Sequence, residues 1–316
     1  MPDAGLGGAR NRATLPAMTQ APDAPPARDA SRALSGMGLM LLCCLLFAGM
    51  GVCFRAAMLE GLPVPLLPFA RGVFTVLVML PWLLRAGGVD LRTRRPGAHA
   101  LRIAAGLCGF FLHMLAILWL PLADAVAIMH ARPLWALPLA FLILGERIGW
   151  DRAIAAAIGF SGVLIIAGPQ GEISAGTLAA IGGGITGALV LISIKMLSST
   201  EPPARVVALY AIATVVVYGP ISALVWVTPS WTAVAYLIGG SVLAIMGDFC
   251  ASWAVRRAPV GLLAPVEYAQ IPASAVLGML VFSEQPGWAL FWGTLIMVGA
   301  TLYLARSAGR EARGRG

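Results

Sequence analysis

The sequence predicts an all-α integral membrane protein whose ten transmembrane helices form two inverted repeats of five helices each. Three observations lead to this prediction. The composition does not suit a globule in water, a series of apolar stretches are each long enough to cross a bilayer, and a pattern of polar residues recurs in the second half of the chain.

The composition points to lipid as the surrounding solvent. Of the 316 residues, 59% are hydrophobic and 11% are charged. Soluble domains average about 25% charged residues, so this chain has too few polar side chains to cover a globule in water.

The apolar residues are grouped in stretches of membrane-spanning length, because a transmembrane helix needs about 20 mostly apolar residues. Clusters rich in Arg, Pro, Gly, Asp and Glu separate ten such stretches, at residues 35–54, 64–84, 103–121, 123–144, 152–168, 174–194, 205–225, 232–255, 259–282 and 287–305. A β-barrel would instead show short segments of alternating polarity. Residues 154–167 and 178–192 are almost wholly apolar, which excludes that pattern.

The net charge of +8 is spread over the ends of these stretches, which argues against a nucleic-acid partner. If the N-terminus is cytoplasmic, all of the 22 Lys and Arg residues except Arg55, Arg71 and Arg132 lie at cytoplasmic ends or in the tails. This asymmetry predicts a multi-pass protein of the cell inner membrane with both termini cytoplasmic. Residues 1–33 are expected to be a disordered cytoplasmic tail, not a signal peptide, and residues 309–316 a basic cytoplasmic tail.

A pattern of polar residues, glycines and prolines in the first half of the chain recurs in the second half. The matched pairs are residues 144–150 (LGERIGW) with 282–288 (FSEQPGW), Pro121 with Pro259, residues 131–132 (AR) with 269–270 (AQ), residues 54–59 with 194–197, and residues 74–81 with 213–220. We therefore expect a first repeat at residues 34–170 and a second at 171–308. Five spans is an odd number, so the second repeat must be inverted, an architecture typical of secondary transporters.

Several motifs resemble a known family. They are residues 120–125 (LPLADA), 145–150 (GERIGW), 159–165 (GFSGVLI), 264–270 (APVEYAQ) and 282–284 (FSE). The chain resembles the EamA-type branch of the drug/metabolite transporter superfamily from about residue 35 to residue 308. The resemblance implies two five-helix EamA repeats with a substrate cavity between them. The Asp248 position and the run at residues 265–270 look similar to members that take up riboflavin or S-adenosylmethionine.

The inverted repeat and the family resemblance together imply secondary transport by alternating access across the inner membrane. The expected solute is a small polar organic metabolite, such as riboflavin, S-adenosylmethionine or an amino acid. Proton coupling is left open, and amino-acid or drug efflux and flipping of a lipid-linked molecule are alternatives. An intramembrane enzyme is less favoured, because the sequence shows no nucleophile, metal-ligand or paired-acid motif. The expected partners are the solute and membrane lipid, with no nucleic acid, cofactor or metal, in a monomer or a homodimer.

Polar side chains inside the spans are the candidate site residues, because a charge near the bilayer centre costs a few kcal/mol. The candidates for substrate binding or coupling are Arg71, His113, His130, Arg132, Asp248, Glu267, Tyr268 and Gln270. Arg71 either binds an anionic group or clamps a neighbouring helix. Asp248 and His113 are expected to line the cavity.

Prolines predict that helices four and nine are broken and face each other. Pro133 follows Arg132, and Pro265 and Pro272 flank the Glu267–Gln270 stretch. Glu267 is either a protonatable coupling carboxylate or an ion-pair partner of Arg132. On a continuous helix His130 and Arg132 lie on nearly opposite faces, so we expect Arg132 alone to face the cavity. His130 then either carries coupling protons or is a buried neutral side chain.

Overall fold

The computed structural model describes residues 27–84, 91–144, 149–168, 174–197 and 200–314. These residues form twelve α-helices and no strand. The helices are α1 (Ala27–Leu59), α2 (Leu66–Leu83), α3 (Pro96–Trp119), α4 (Leu122–Met129), α5 (Arg132–Leu144), α6 (Trp150–Ala167), α7 (Ala175–Leu197), α8 (Pro203–Leu224), α9 (Trp231–Arg257), α10 (Val260–Glu267), α11 (Gln270–Phe282) and α12 (Trp288–Gly314).

The twelve helices make ten spans, because two spans are each broken into a pair of helices. Seven stretches of the described chain are long and apolar enough to cross a membrane, and two of these, Leu122–Ile143 and Pro265–Phe282, run across the breaks. Three shorter apolar helices complete the set, at Leu66–Pro81, Ala153–Ala167 and Trp288–Leu304. The prediction of an all-α multi-pass membrane protein with ten spans is confirmed.

Some helix ends differ from the expected span boundaries. Helix α3 begins at Pro96, since proline is favoured in the first turn of a helix, where its missing N–H leaves no hydrogen bond unmade. Helix α1 begins at Ala27, inside the expected N-terminal tail, and α12 continues to Gly314, into the expected C-terminal tail. Residues 1–26 and residues 145–148 lie outside the described residues.

Helix packing follows the repeat. Helix α1 packs along α9, and the equivalent pair with the repeats exchanged, α7 and α3, also packs together. In two other pairs, a helix packs against its own counterpart in the other repeat: α2 packs against α8, and α6 against α12. This pattern is the one expected of two five-span units related by a pseudo-two-fold axis.

Small residues bring α6 and α12 into backbone contact. A Cβ atom placed on Gly162 would lie 2.6 Å from the carbonyl oxygen of Gly293, and one placed on Gly293 would lie 2.5 Å from the carbonyl oxygen of Gly162. In lipid, where apolar burial does not drive helices together, such close approach supplies much of the attraction between them.

We predict that Gly162→Ala destabilises the protein, because the added methyl group forces α6 and α12 apart at a cost of about 1–3 kcal/mol. The apparent Tm in detergent should fall measurably. The matched control is Gly299→Ala on α12, where an added Cβ meets no atom within 4 Å. Equal Tm values for the two variants would contradict the close-packing assignment.

A buried carboxylate ties two loops together at one end of the bundle. Glu201 accepts hydrogen bonds from the Thr93 hydroxyl (2.8 Å), the Arg94 backbone N–H (2.9 Å) and the Arg205 guanidinium. The hydrogen bonds from Arg205 and then Thr93 hold the pKa of Glu201 at about 2, well below its ordinary value. Glu201 is therefore ionised at neutral pH and joins the segment before α3 to the start of α8.

Candidate functional site

A cavity of about 310 Å³ lies beside the breaks in the two interrupted spans and is bordered by α1, α2, α3, α7 and α8. Its wall contains five of the predicted residues, Arg71, His113, His130, Arg132 and Gln270. Asp248 lines an adjoining pocket of about 110 Å³ that shares Arg71 with the main cavity. Glu267 and Tyr268 contact the lining residues Arg132 and His130. The structure thus brings all eight candidates into one region.

The break in the fourth span falls at His130 and Ala131, between α4 and α5. The His130 N–H still bonds to Val126 O, but the Ala131 N–H bonds to Ile128 O, so the chain tightens there. Pro133 is the second residue of α5, where its missing N–H is tolerated. The predicted break is confirmed.

The ninth span breaks at the equivalent place, Tyr268 and Ala269, between α10 and α11. His130 and Tyr268 occupy matched positions in the two repeats, and their ring centroids are 5.9 Å apart. Matched residues that touch each other lie beside the pseudo-two-fold axis. The axis therefore passes between the two breaks, next to the cavity.

The expectation that His130 and Arg132 face opposite directions is wrong. Both side chains line the cavity, because the helical path is interrupted between them and the rotation of a continuous helix does not apply. His130 is buried; its Nδ1 lies 2.8 Å from Val126 O, so Nδ1 carries the proton and donates it, while Nε2 has no hydrogen-bond partner.

Arg132 and Glu267 form an ion pair across the two breaks. Arg132 Nη2 lies 3.7 Å from Glu267 Oε2, and the side chains are 39% and 45% exposed. Arg132 begins α5 and Glu267 ends α10, so this contact joins the two repeats beside their axis. Of the two readings of Glu267, the ion pair is observed, and a coupling role stays a prediction.

A second ion pair, Arg71–Asp248, lies in the wall of the adjoining pocket. Arg71 donates a hydrogen bond to Asp248 Oδ2 at 3.0 Å, and its guanidinium lies over the Phe110 ring, 4.9 Å from the centroid. His113, three residues along α3 from Phe110, places Nδ1 2.7 Å from Met129 Sδ. Arg71 therefore contacts both an acidic and an aromatic partner, and all three side chains line the adjoining pocket.

Arg102 is a cavity residue that the sequence analysis missed. The charge count placed it among the basic residues at the cytoplasmic helix ends. Because α3 begins at Pro96, Arg102 lies almost two turns inside the helix and lines both pockets. Pro96 itself was the signal, since a proline before an apolar run marks the first turn of a helix.

A polar cluster formed by Arg55, Glu284 and the start of α4 seals one end of the cavity region. Glu284 pairs with Arg55 and also accepts the Leu122 N–H at 2.9 Å, while Arg55 donates to Leu120 O at 3.1 Å. Ser283, with a φ of 54°, ends α11 in the left-handed conformation and turns Glu284 back towards Gly278. A side chain on Gly278 would collide with the Glu284 carboxylate.

The two ends of the broken spans are not packed alike. Helix α4 packs against α11 at the sealed end. The symmetry-equivalent helices, α5 and α10, have no contact of comparable extent in the described chain, and Arg132–Glu267 is the ion pair that joins them. The two ends of the pseudo-symmetric bundle are therefore packed differently in the described residues.

The described residues contain no group of three or more His, Cys, Asp or Glu side chains that could hold a metal ion. The cavity wall is instead a mixture of guanidinium groups, imidazoles, aromatic rings and glycines. Such a wall provides hydrogen bonds and stacking surfaces for an organic solute.

Fold and cavity together define a ten-span α-helical membrane protein with a polar cavity beside its two broken spans. Residues 34–168 match the EamA-like transporter family, so the resemblance recognised in the sequence is confirmed. The matched residues are those of the first expected repeat, and over them the chain is similar to that family.

Relatives with assigned functions extend over most of the chain. A riboflavin transporter of Vibrio cholerae is 27% identical, covering 89% of this chain and 96% of its own. An S-adenosylmethionine uptake transporter of Rickettsia prowazekii is 28% identical, with coverages of 76% and 82%. A pseudopaline exporter of Pseudomonas aeruginosa is 25% identical, with coverages of 86% and 96%.

A solved crystal structure shares the fold. It covers 90% of this chain and 98% of its own, with a TM-score of 0.54 at 18% sequence identity. At that identity the likeness concerns the arrangement of the helices alone.

Proposed function

We propose that this protein is a secondary transporter of the cell inner membrane that moves a small polar organic solute by alternating access. The observation that carries the proposal is the cavity at the pseudo-two-fold axis, which is bounded by both broken spans and sealed at one end. An inverted repeat gives the exchanged conformation similar energy, because the same contacts form with the repeats swapped.

The Arg55–Glu284 cluster supports a gating role for the sealed end. It links α1, the turn after α11 and the first residue of α4, so separating these helices must break its hydrogen bonds. With both termini cytoplasmic, as the charge distribution predicts, the sealed end is the outer one. The described conformation then opens towards the cytoplasm.

The size and chemistry of the cavity suit a metabolite. A volume of about 310 Å³ lies at the lower limit of sites for small organic ligands, and the adjoining pocket adds about 110 Å³. One relative is a riboflavin transporter, a second takes up S-adenosylmethionine and a third exports pseudopaline. Uptake is therefore the first candidate, and efflux through the same cavity is the second.

Proteoliposomes test the proposal. Purified protein is reconstituted and offered radiolabelled riboflavin, S-adenosylmethionine and a set of amino acids, with and without a proton gradient, against liposomes that contain heat-denatured protein. We expect saturable uptake of at least one solute and acceleration by unlabelled solute on the opposite side, which a channel does not show. Absence of saturable flux for every solute would refute the carrier assignment.

A further inference from the structure

The charges around the cavity do not balance. Three arginines line it, Arg71, Arg102 and Arg132. Asp248 pairs with Arg71 at 3.0 Å, and Glu267 pairs with Arg132 at 3.7 Å. Arg102 has no hydrogen bond or ion pair to any described residue, and its Nε is buried without a partner. The wall therefore carries one guanidinium in excess of its carboxylates.

The position of Arg102 is fixed by packing. Its guanidinium lies over the Tyr210 ring, 4.5 Å from the centroid, and the Tyr210 hydroxyl donates a hydrogen bond to Gly106 O at 3.2 Å. A Cβ on Gly106 would lie 2.5 Å from Arg102 Nη1 and 2.6 Å from the Tyr210 ring. Gly106 thus leaves the space in which the stacked pair sits, and the stack holds Arg102 at the junction of the main cavity and the adjoining pocket.

An unpaired guanidinium in this setting needs a counter-charge. A charged group inside the membrane region is costly unless it is paired, and among the described residues no carboxylate lies within ion-pair distance of Arg102. A guanidinium presents a planar set of N–H donors that matches a carboxylate or a phosphate, and stacking on an aromatic ring leaves those edge donors available.

We infer that the solute carries an anionic group, a carboxylate or a phosphate, which binds Arg102 beside the Arg71–Asp248 pair. The Phe110 and Tyr210 rings, each already stacked against an arginine, flank the position of this group. The inference rests on the proposed transport function and specifies the substrate class: small organic anions and zwitterions that present a carboxylate or a phosphate, rather than neutral or purely cationic solutes.

Binding of matched ligand pairs to the purified protein tests the inference. One pair is riboflavin 5′-phosphate and riboflavin, and the other is N-acetyltryptophan and its amide; in each, one member has the anionic group and the other lacks it. We expect the anionic member of at least one pair to bind about tenfold tighter or more, as for a hydrogen bond to a charged group. The pair that shows the effect distinguishes phosphate from carboxylate.

Variants assign the effect to Arg102. Arg102→Gln should abolish the preference for the anionic ligand, and Arg102→Lys, which keeps the charge but loses the planar donor set, should retain a reduced preference. The control is Arg256→Gln, at an exposed helix end. Equal binding of both members of both pairs by the unaltered protein, or a preference that survives Arg102→Gln, would overturn the inference.

The result is independent of transport. If anions bind through Arg102 but no solute crosses the proteoliposome membrane, the transport function fails and the site stands. If neutral solutes are carried as well as their anionic partners, the function stands and the anion assignment fails.

Discussion

Replacing Glu284 with glutamine is expected to open the sealed end of the bundle. The Arg55 and Glu284 side chains are 14% and 12% exposed, so removing the carboxylate charge leaves a buried guanidinium without its partner. Loss of one member of a buried pair costs about 3–5 kcal/mol, enough to shift the balance between the two conformations by about a hundredfold or more. Relative to the unaltered protein, the sealed conformation should lose population to one in which this end is open.

Spin labels report this shift directly. With labels at positions 119 and 285, both exposed at the sealed end on opposite sides of the closure, the distance distribution should move to longer values in Glu284→Gln. The matched control is Glu60→Gln at the same end, because Glu60 is exposed and makes a single weak contact, 3.5 Å from Ser230 Oγ. Identical distributions for Glu284→Gln and the unaltered protein would remove the cluster from gating.

Replacing Glu267 with glutamine is expected to uncouple transport from a proton gradient while leaving solute exchange largely intact. The carboxylate lies at the break in the ninth span and pairs with Arg132 in the cavity wall, so gain or loss of a proton there alters the contact that joins the two repeats. Glutamine keeps the shape of the side chain but cannot release a proton. Because the pair is partly exposed and worth about 0–1 kcal/mol, solute affinity should change by no more than about fivefold.

Two measurements in proteoliposomes separate these effects. Gradient-driven accumulation should fall to simple equilibration in Glu267→Gln, whereas exchange of labelled for unlabelled solute should continue. Asp248→Asn is the comparison variant, because Asp248 is the other carboxylate paired with a cavity arginine. Undiminished accumulation by Glu267→Gln, or its loss in Asp248→Asn alone, would exclude Glu267 as the coupling group.

The fold was largely predictable because membrane insertion depends on local sequence. Each span must satisfy its own backbone hydrogen bonds and present an apolar surface to lipid. A span can therefore be recognised from the composition of about 20 consecutive residues. Prolines such as Pro133 and Pro272 predicted the breaks in the fourth and ninth spans, because the effect of a proline on a helix is also local. The exact helix starts were less visible, because α3 begins at Pro96, within a polar segment.

The candidate site was predictable as a set of residues but not as a set of partners. A charged side chain inside an apolar stretch, such as Arg71 or Asp248, stands out whatever its surroundings. That Arg71 pairs with Asp248, while Arg102 pairs with no acid in the described part of the chain, depends on how distant helices cross. The error over His130 and Arg132 has the same origin, since a rotation of about 200° between them holds only on an unbroken helix.

The sequence by itself determined the membrane environment, the number of spans and the repeat, because each follows from composition and order along the chain. The tertiary structure alone decided which end of the cavity is sealed. Helices α4 and α11 pack together while α5 and α10 do not, although the repeats contain both pairs. Because the two pairs are alike in sequence order, which of them packs together depends on contacts between distant segments such as Arg55 and Glu284.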